Sequence, residues 1–265
     1  RDLMETKKVI GKRRFSLTIT TLTFAFLYLP IVALVILSFN NARQGVAWTG
    51  FTLKWYSELF RQADIWKAFA NTVIIALTSS LVATVIGTFA AVSLYWYKSR
   101  LKGYLGVLVY TPLIIPDILM GVSMLIFFVA LGIPLGLFTI FIAHVTFCVS
   151  YVTVTVMTRL EDFDYSMVEA ARDLGAKSHQ VFRKVIVPMI MPGIMAGFLL
   201  SLTLSIDDFV ITFFVAGPGS TTLPLKIYSM IKFGVSPVIN SLSTLLLVGT
   251  LFISLFGSKF RKLIF

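Results

Sequence analysis

Apolar residues gather into six long runs, at about 16–39, 69–95, 104–130, 134–157, 190–215 and 238–257, separated by shorter polar stretches. Each run is close to the roughly 20 residues that an α-helix needs to cross a bilayer. The pattern therefore predicts an all-α polytopic membrane protein with six transmembrane helices. Pro30 interrupts the first run, and Pro112 and Pro116 interrupt the third. The second carries Ala76, Ser79, Ser80, Ala83, Thr84, Gly87, Ala90 and Ala91. Such small residues let helix backbones approach closely in lipid, so this run is expected to pack on other helices. Between the first two runs, 52–60 reads as a short amphipathic helix, with Leu53, Trp55, Tyr56, Leu59 and Phe60 on one side and Lys54 and Glu58 on the other. Trp48, Trp55 and Trp66 there fit an interfacial aromatic belt or a contact with an outside partner. Residues 216–237 carry Gly217, Pro218, Gly219, Pro224 and Pro237, and are expected to be a loop too rich in turn residues for one regular helix.

Residues 158–189 form a polar island between the fourth and fifth runs. Ser166 with Glu169 three residues later has the spacing of a capping box, in which hydroxyl and carboxylate each bond a backbone N–H at a helix start. Gly175 stands where a left-handed residue would end that helix. A second short helix is expected from about Ser178 toward Pro188. The local reading is helix, tight turn, helix, with Glu169 as a cap rather than an acid catalyst.

Composition agrees with the pattern. The 265 residues are 57% hydrophobic and 13% charged, with a mean hydropathy of +0.91, against about 25% charged in soluble domains. Net charge is +11, which alone would suggest nucleic acid, but its placement indicates topology. Of 23 Lys and Arg, 17 lie in the N-terminal tail, the 98–102 loop, the 159–184 loop and the C-terminal tail. The other six are Arg43, Lys54, Arg61, Lys67, Lys226 and Lys232. The excess of cations on the inner side places both termini and the polar island in the cytoplasm. The first run is too long for a removable signal peptide and lacks a small-residue cleavage site, so it is expected to remain as an anchor. The expected organisation is a basic tail at 1–15, a first transmembrane helix at 16–39, an outside loop at 40–68, a multi-pass core at 69–257 and a short tail at 258–265.

Little conventional site chemistry is present. Cys148, the single cysteine, lies inside an apolar run and reads as a buried, inert thiol. His144 and His179 lack neighbours at metal-ligand or nucleophile–base spacing. His144 reads as a helix–helix hydrogen bond. A membrane enzyme is disfavoured on that ground, and a secondary transporter by the absence of a clear internal repeat. Three acids stand out at apolar depth: Asp117, Asp207 and Asp208. Intramembrane acids mark pathways unless they cap or pair. Pro116-Asp117 therefore reads either as the start of a broken half-helix or as part of a pathway. Asp207-Asp208 reads either as a helix break tied to its neighbours or as an aid to a crossing cation. Phe213 and Phe214 follow as aromatic candidates for the same pathway.

The polar island also carries a specific pattern. Glu169-Ala170-Ala171, three residues, Gly175, nine residues, Val185, one residue and Val187-Pro188 resembles the EAA loop of permease subunits of bacterial ABC importers. Val185 and Val187 replace the more usual Ile and Leu. Further stretches resemble the spermidine/putrescine permeases, in particular their PotC/PotI-like members: Tyr28-Leu29-Pro30-Ile31-Val32, Ser38-Phe39-Asn40, Leu204-Ser205-Ile206-Asp207-Asp208, and Thr222 through Met230 with Gly234-Val235-Ser236-Pro237 and Asn240. The resemblance implies the type I importer (MetI-like) fold in a bacterial inner membrane, and a coupling helix that docks on a cytoplasmic ATPase. The implied coupling residues are Glu169, Ala170, Ala171, Asp173, Leu174, Gly175 and Pro188. The implied partners are a second permease of the PotB/PotH kind, two copies of an ATP-binding subunit, and a periplasmic or lipoprotein polyamine-binding protein. No cofactor is expected on this chain, and ATP and Mg would be used by the ATPase. Permeases for ferric iron, thiamine or a sulfonate share these features, so the solute stays open at this level.

Overall fold

The computed structural model describes residues 2–43, 47–96, 101–232 and 236–264, with side chains described over 15–43, 47–96, 102–232 and 236–255. Gly234 and Val235, named above, lie outside these residues, as do Arg1, Lys98 and Arg100 of the cation-rich tail and loop and the side chains of the other N- and C-terminal cations. Helices dominate, and the one β pairing among the described residues is an isolated antiparallel bridge between Asn40 and Phe51. Among the described residues five helices are long and apolar enough to cross a membrane, and a sixth span arises if one bent pair is counted together. The chain divides into two compact units, Arg1–Ala63 with Ser229–Phe265, and Asp64–Tyr228.

In the first unit, α12 (Pro237–Ile264) packs against α1 (Asp2–Leu37) and α2 (Lys54–Arg61). The backbone of α1 is helical from Asp2, ahead of the expected entry near Ser16, and Pro30 lies inside it. The loop before α2 is organised by Asn40. Its Oδ1 accepts the Thr49 N–H at 2.9 Å, its Nδ2 donates to the Ala47 carbonyl at 2.7 Å, and its own carbonyl accepts the Trp55 indole N–H at 2.7 Å. Trp55 and Leu59, one turn apart, are buried together while Leu53 and Phe60 are exposed. Trp55 is thus the core of this loop rather than part of an interfacial belt.

The second unit holds α3 (Ala63–Trp96), α4 (Leu101–Ile114), α5 (Asp117–Ala130), α6 (Leu137–Glu161), α7 (Ser166–Asp173), α8 (Ser178–Val181), α9 (Val187–Asp207), α10 (Val210–Val215) and the start of α11 (Leu223–Lys232). Its most extensive helix pair is α6 with α9. A Cβ at Gly197 would meet Val152 Cγ1 at 3.2 Å, so glycine there permits the close approach. Two apolar clusters run through the unit. One joins Ile75, Met120, Phe128, Phe147 and Ile211. The other joins Val92, Val156, Leu160 and Ile190 to Val168 of α7 and Val181 of α8. Val168 thereby anchors the polar island to the long helices.

The third run is not one straight span. Helices α4 and α5 are bent by 116° at residues 115–116. Pro116 supplies no N–H and biases Ile115 toward extended backbone, which favours a break at this point. The fifth run also differs from one segment over 190–215. Helix starts at Ser178, passes through a π turn at Phe182–Ile186, continues as α9, and breaks at Asp208 before α10. Pro188 is the second residue of α9, directly after the π turn. The Gly/Pro-rich loop is, as expected, not one regular helix throughout; it contains α11. The start of α11 is tied to α3: Thr72 Oγ1 accepts the Leu223 N–H at 2.7 Å, Asn71 Nδ2 donates to the Thr221 carbonyl at 2.9 Å, and Lys226 pairs with Asp64.

Candidate functional site

The three intramembrane acids meet. Asp117, Asp207 and Asp208 line one cavity of about 300 Å³, together with Pro112, Phe147, Tyr151, Leu204 and the segment Phe209-Val210-Ile211. Two helix breaks build it. Asp117 opens α5 just past the Pro116 bend, and Asp207 closes α9 just before the second break. Each break turns a carboxylate-bearing backbone away from a continuous helix and opens space beside it.

The acids differ in what they do. The Asp208 carboxylate caps α10: Oδ1 accepts the Ile211 N–H at 3.3 Å, and Oδ2 accepts the Thr212 N–H at 2.8 Å and the Thr212 hydroxyl at 2.6 Å. His144 Nε2 lies 3.3 Å from Oδ2, and the Asp208 side chain is 9% exposed. These bonds satisfy backbone donors that a helix start would otherwise leave open. Asp117 and Asp207, by contrast, are both exposed, and each remains available to the cavity. The reading of Asp207-Asp208 as a break tied to its neighbours therefore describes Asp208.

His144 makes the helix–helix contacts expected of it. Nδ1 is 2.6 Å from Ser205 Oγ on α9, and Nε2 is 2.9 Å from Thr212 Oγ1 on α10. The other end of α10 is held by the same helix, because Thr139 Oγ1 of α6 donates to the Val215 carbonyl at 2.7 Å. Phe213 and Phe214 do not line the cavity. Phe214 packs over Gly121 of α5, where an added Cβ would come within 2.7 Å of its ring. Phe213 is half exposed and belongs to an aromatic group with Phe209 and Tyr228, the Phe209 and Tyr228 ring centroids being 4.7 Å apart. The rings that do line the cavity, Phe147, Tyr151 and Phe209, escaped the sequence reading because aromatics are common in every apolar run. The pairing of His144 with Asp208 did have a signal, since two ionisable groups in separate membrane helices are expected to find each other.

The polar island forms a second feature. Helix α7 ends in a Schellman turn: the Gly175 N–H donates to the Arg172 carbonyl at 2.8 Å and the Ala176 N–H to the Ala171 carbonyl at 3.0 Å, with Gly175 at φ +82°. Its start is not the expected capping box. Tyr165 is the N-cap, Ser166 is the first helical residue, and Asp164 Oδ1 accepts the Ser166 N–H at 3.0 Å. The Asp164 carboxylate, two residues earlier, closes a local turn and moves the start forward, so Glu169 has no cap to make. The Ser166 hydroxyl and N–H hold the Asp164 carboxyl below its ordinary value. Glu169, Ala170, Asp173 and Gly175 are exposed and Ala171 is half-buried. Leu174 is 89% exposed, an apolar side chain standing free beside a shallow depression lined by Ala171, Gly175, Gln180, Val181 and Lys184. Pro188 is exposed beyond the π turn. The island is joined to α3 by aromatic contacts, with Trp96 stacking edge-on against Phe163 at 5.2 Å and Phe182 lying flat on Phe89 at 5.4 Å.

Among the described residues no group of acidic, histidine and cysteine side chains could hold a metal ion. The arrangement offers a carboxylate-lined, aromatic-walled recess inside a helical membrane unit and an exposed, rigidly capped helix on its polar side.

Comparison with known proteins agrees with this architecture. Residues 83–262 match the family described as binding-protein-dependent transport system inner membrane component. The spermidine/putrescine transport system permease protein PotC of Escherichia coli (strain K12) is 46% identical over 228 residues, covering 86% of each chain. The putrescine transport system permease protein PotI of the same strain is 44% identical over 239 residues, covering 87% of this chain and 85% of that one. Among solved structures, a bacterial ABC transporter involved in the import of alginate superposes with a TM-score of 0.73 at 16% identity, covering 94% of this chain and 97% of that chain. The MetNI methionine ABC transporter superposes with a TM-score of 0.64 at 21% identity, covering 81% of this chain and 100% of that chain. These structural likenesses establish a common fold.

Proposed function

The chain belongs to the family of binding-protein-dependent transport system inner membrane components, and from that premise we propose that it is a permease subunit of an ATP-driven importer for polyamines, spermidine or putrescine. The observation that carries the solute class is the cavity where Asp117 and Asp207 stand exposed beside Asp208 and the rings of Phe147, Tyr151 and Phe209. A polyamine is a flexible alkyl chain with ammonium groups at its ends. Each ammonium that leaves water needs carboxylate partners or ring faces to replace its hydration. Two uncommitted carboxylates in one recess suit such a chain, and a neutral or anionic solute would find no complementary charge there. The names of the similar permeases point to the same solutes.

In this reading a second permease of the PotB/PotH kind completes the pathway, two ATPase copies dock on the cytoplasmic side, and a binding protein delivers the solute from outside. Helix α7 is the docking element. Leu174 supplies its apolar contact, Glu169, Ala170, Ala171 and Asp173 the rest of the docking face, and Gly175 the rigid end. Closure of the ATPases pushes on α7, and Val168 and the π turn before Pro188 carry the displacement into α6 and α9. Because α9 ends at Asp207, movement along it reaches the cavity directly.

The test is uptake of labelled spermidine and putrescine into proteoliposomes holding the reconstituted complex. Asp117→Asn and Asp207→Asn are each expected to lower uptake per complex about tenfold, the loss of one charge-assisted contact worth roughly 1.4 kcal/mol. Undiminished uptake in either variant would sink the two-carboxylate cation site.

A further inference from the structure

We infer that His144 is a positioning residue for solute transport, one that fixes the α9–α10 break and through it the aim of Asp207 into the cavity. The inference rests on the reading of that cavity as a cation site. The ring is 1% exposed, so it does not itself touch a solute. It lies instead at the junction of four elements. From α6 it reaches Ser205 on α9, Thr212 on α10 and Asp208 in the break, and Ser205 is in turn 3.2 Å from Ser79 on α3.

The hydrogen-bond directions leave one consistent neutral arrangement. The Thr212 hydroxyl donates to Asp208 Oδ2 and therefore accepts from His144, which places the imidazole proton on Nε2. Nδ1 is then an acceptor and takes the Ser205 hydroxyl proton. Ser79 donates to the Ile75 carbonyl, leaving no competing demand on Ser205. Every polar atom around the ring is satisfied, which in a low-dielectric interior makes the network stiff. Its geometric consequence is specific. Ser205 lies two residues before Asp207 and Asp208 immediately after it, so His144 holds the side chains on both sides of Asp207 without contacting Asp207 itself. A carboxylate at a helix end would otherwise swing with the fraying last turn. Clamped on either side, it keeps one direction relative to Asp117.

A residue that merely stabilised the fold would lower the amount of assembled transporter and leave each assembled copy working. A residue that aims Asp207 does something else. In proteoliposomes holding the whole complex, with labelled spermidine as the solute and the amount of assembled complex measured directly, His144→Ala is expected to lower uptake per complex about tenfold. His144→Gln, whose amide retains one donor and one acceptor, is expected to stay within about threefold of the parent. The decisive arm is the double variant His144→Ala with Asp207→Asn. If His144 acts through Asp207, the double variant is no worse than about twofold below the poorer single variant, because the aim of an absent charge has no effect. Losses that multiply to about a hundredfold overturn the inference, as does a His144→Ala loss confined to assembly, or a His144→Gln no better than His144→Ala. An Asp207→Asn variant that transports normally overturns the cation site itself, so the two failures are distinguishable.

Discussion

Asp208 commits its carboxylate to the protein. It accepts two backbone N–H groups at the start of α10 and the Thr212 hydroxyl, and it lies against His144. Removing a cap of this kind costs about 0.5–2 kcal/mol, and hydrogen bonds to a charged group are stronger than neutral ones. Asp208→Ala is therefore expected to destabilise the protein by about 2 kcal/mol. Asp208→Asn, which keeps one oxygen for the Thr212 N–H but turns an N–H toward groups that already donate, is expected to lose about 1 kcal/mol. Thermal melting of the detergent-solubilised permease checks the order, parent above Asp208→Asn above Asp208→Ala. An unshifted midpoint for Asp208→Ala would show that α10 does not depend on this cap. Asp207, adjacent in sequence, makes no such bonds to α10, and Asp207→Asn is expected to leave the midpoint in place. Two neighbouring residues of the same type thus separate by assay, one in stability and the other in transport.

At the scale of the element, α7 works as a rigid unit only if its last turn is closed. Gly175 closes it at φ +82°, and no neighbour lies within 4 Å of the Cβ it lacks, so the requirement there is conformational rather than steric. An L-residue with a Cβ pays about 1–2 kcal/mol in the left-handed region, except that asparagine visits it more readily. Gly175→Ala is expected to loosen the Schellman turn and displace Leu174, so that ATP hydrolysis stimulated by the binding protein continues while solute moved per ATP falls severalfold. Gly175→Asn is expected to retain most of the coupling. Equal coupling in both variants would remove the turn from the mechanism. This glycine was legible in the sequence, because a positive-φ C-cap has one favoured residue. The start of the same helix was read one residue late, because Ser166–Glu169 has the spacing of a capping box while Asp164, the stronger acceptor, lies just outside it. Although Pro30, Pro112 and Pro192 sit within helices that continue, the break at Pro116 was legible as a candidate break site, since proline removes a helix donor and disfavours helical backbone just before it. Its angle was not, because the direction in which α5 leaves depends on its packing against α10. The π turn at Phe182–Ile186 left no trace in the pattern: one extra residue per turn shifts an apolar stripe too little to notice in a run where most positions are apolar. For the site, the acids were visible because charge is rare in these runs. Their division of labour was not, because it is decided by which carboxylate meets the N–H groups of α10.

For the whole molecule, the bent pair α4–α5 decides the topology. Among the described residues five helices qualify as spans alone, and the pair adds a sixth if it crosses. Counting along the chain from α2, a crossing pair makes three passes before α7 is reached, by α3, by the pair and by α6. A re-entrant pair makes two. With six crossings the cations of the 159–184 loop fall on the same side as the N-terminal tail, and with five they fall on the opposite side. The bias of Lys and Arg toward the cytoplasm favours six, and only that count lets α7 meet the ATPase as proposed above. Replacing Cys148 by Ala, a buried position, gives a background for single cysteines at Lys54 and Lys177, both exposed. A membrane-impermeant maleimide is expected to label Lys54→Cys in intact spheroplasts and Lys177→Cys only in inside-out vesicles. Labelling of both positions from one side would mean that α4–α5 returns to the face it entered. The carboxylate of Asp117 would then sit in a re-entrant turn, and α7 would stand on the side where no ATP is hydrolysed.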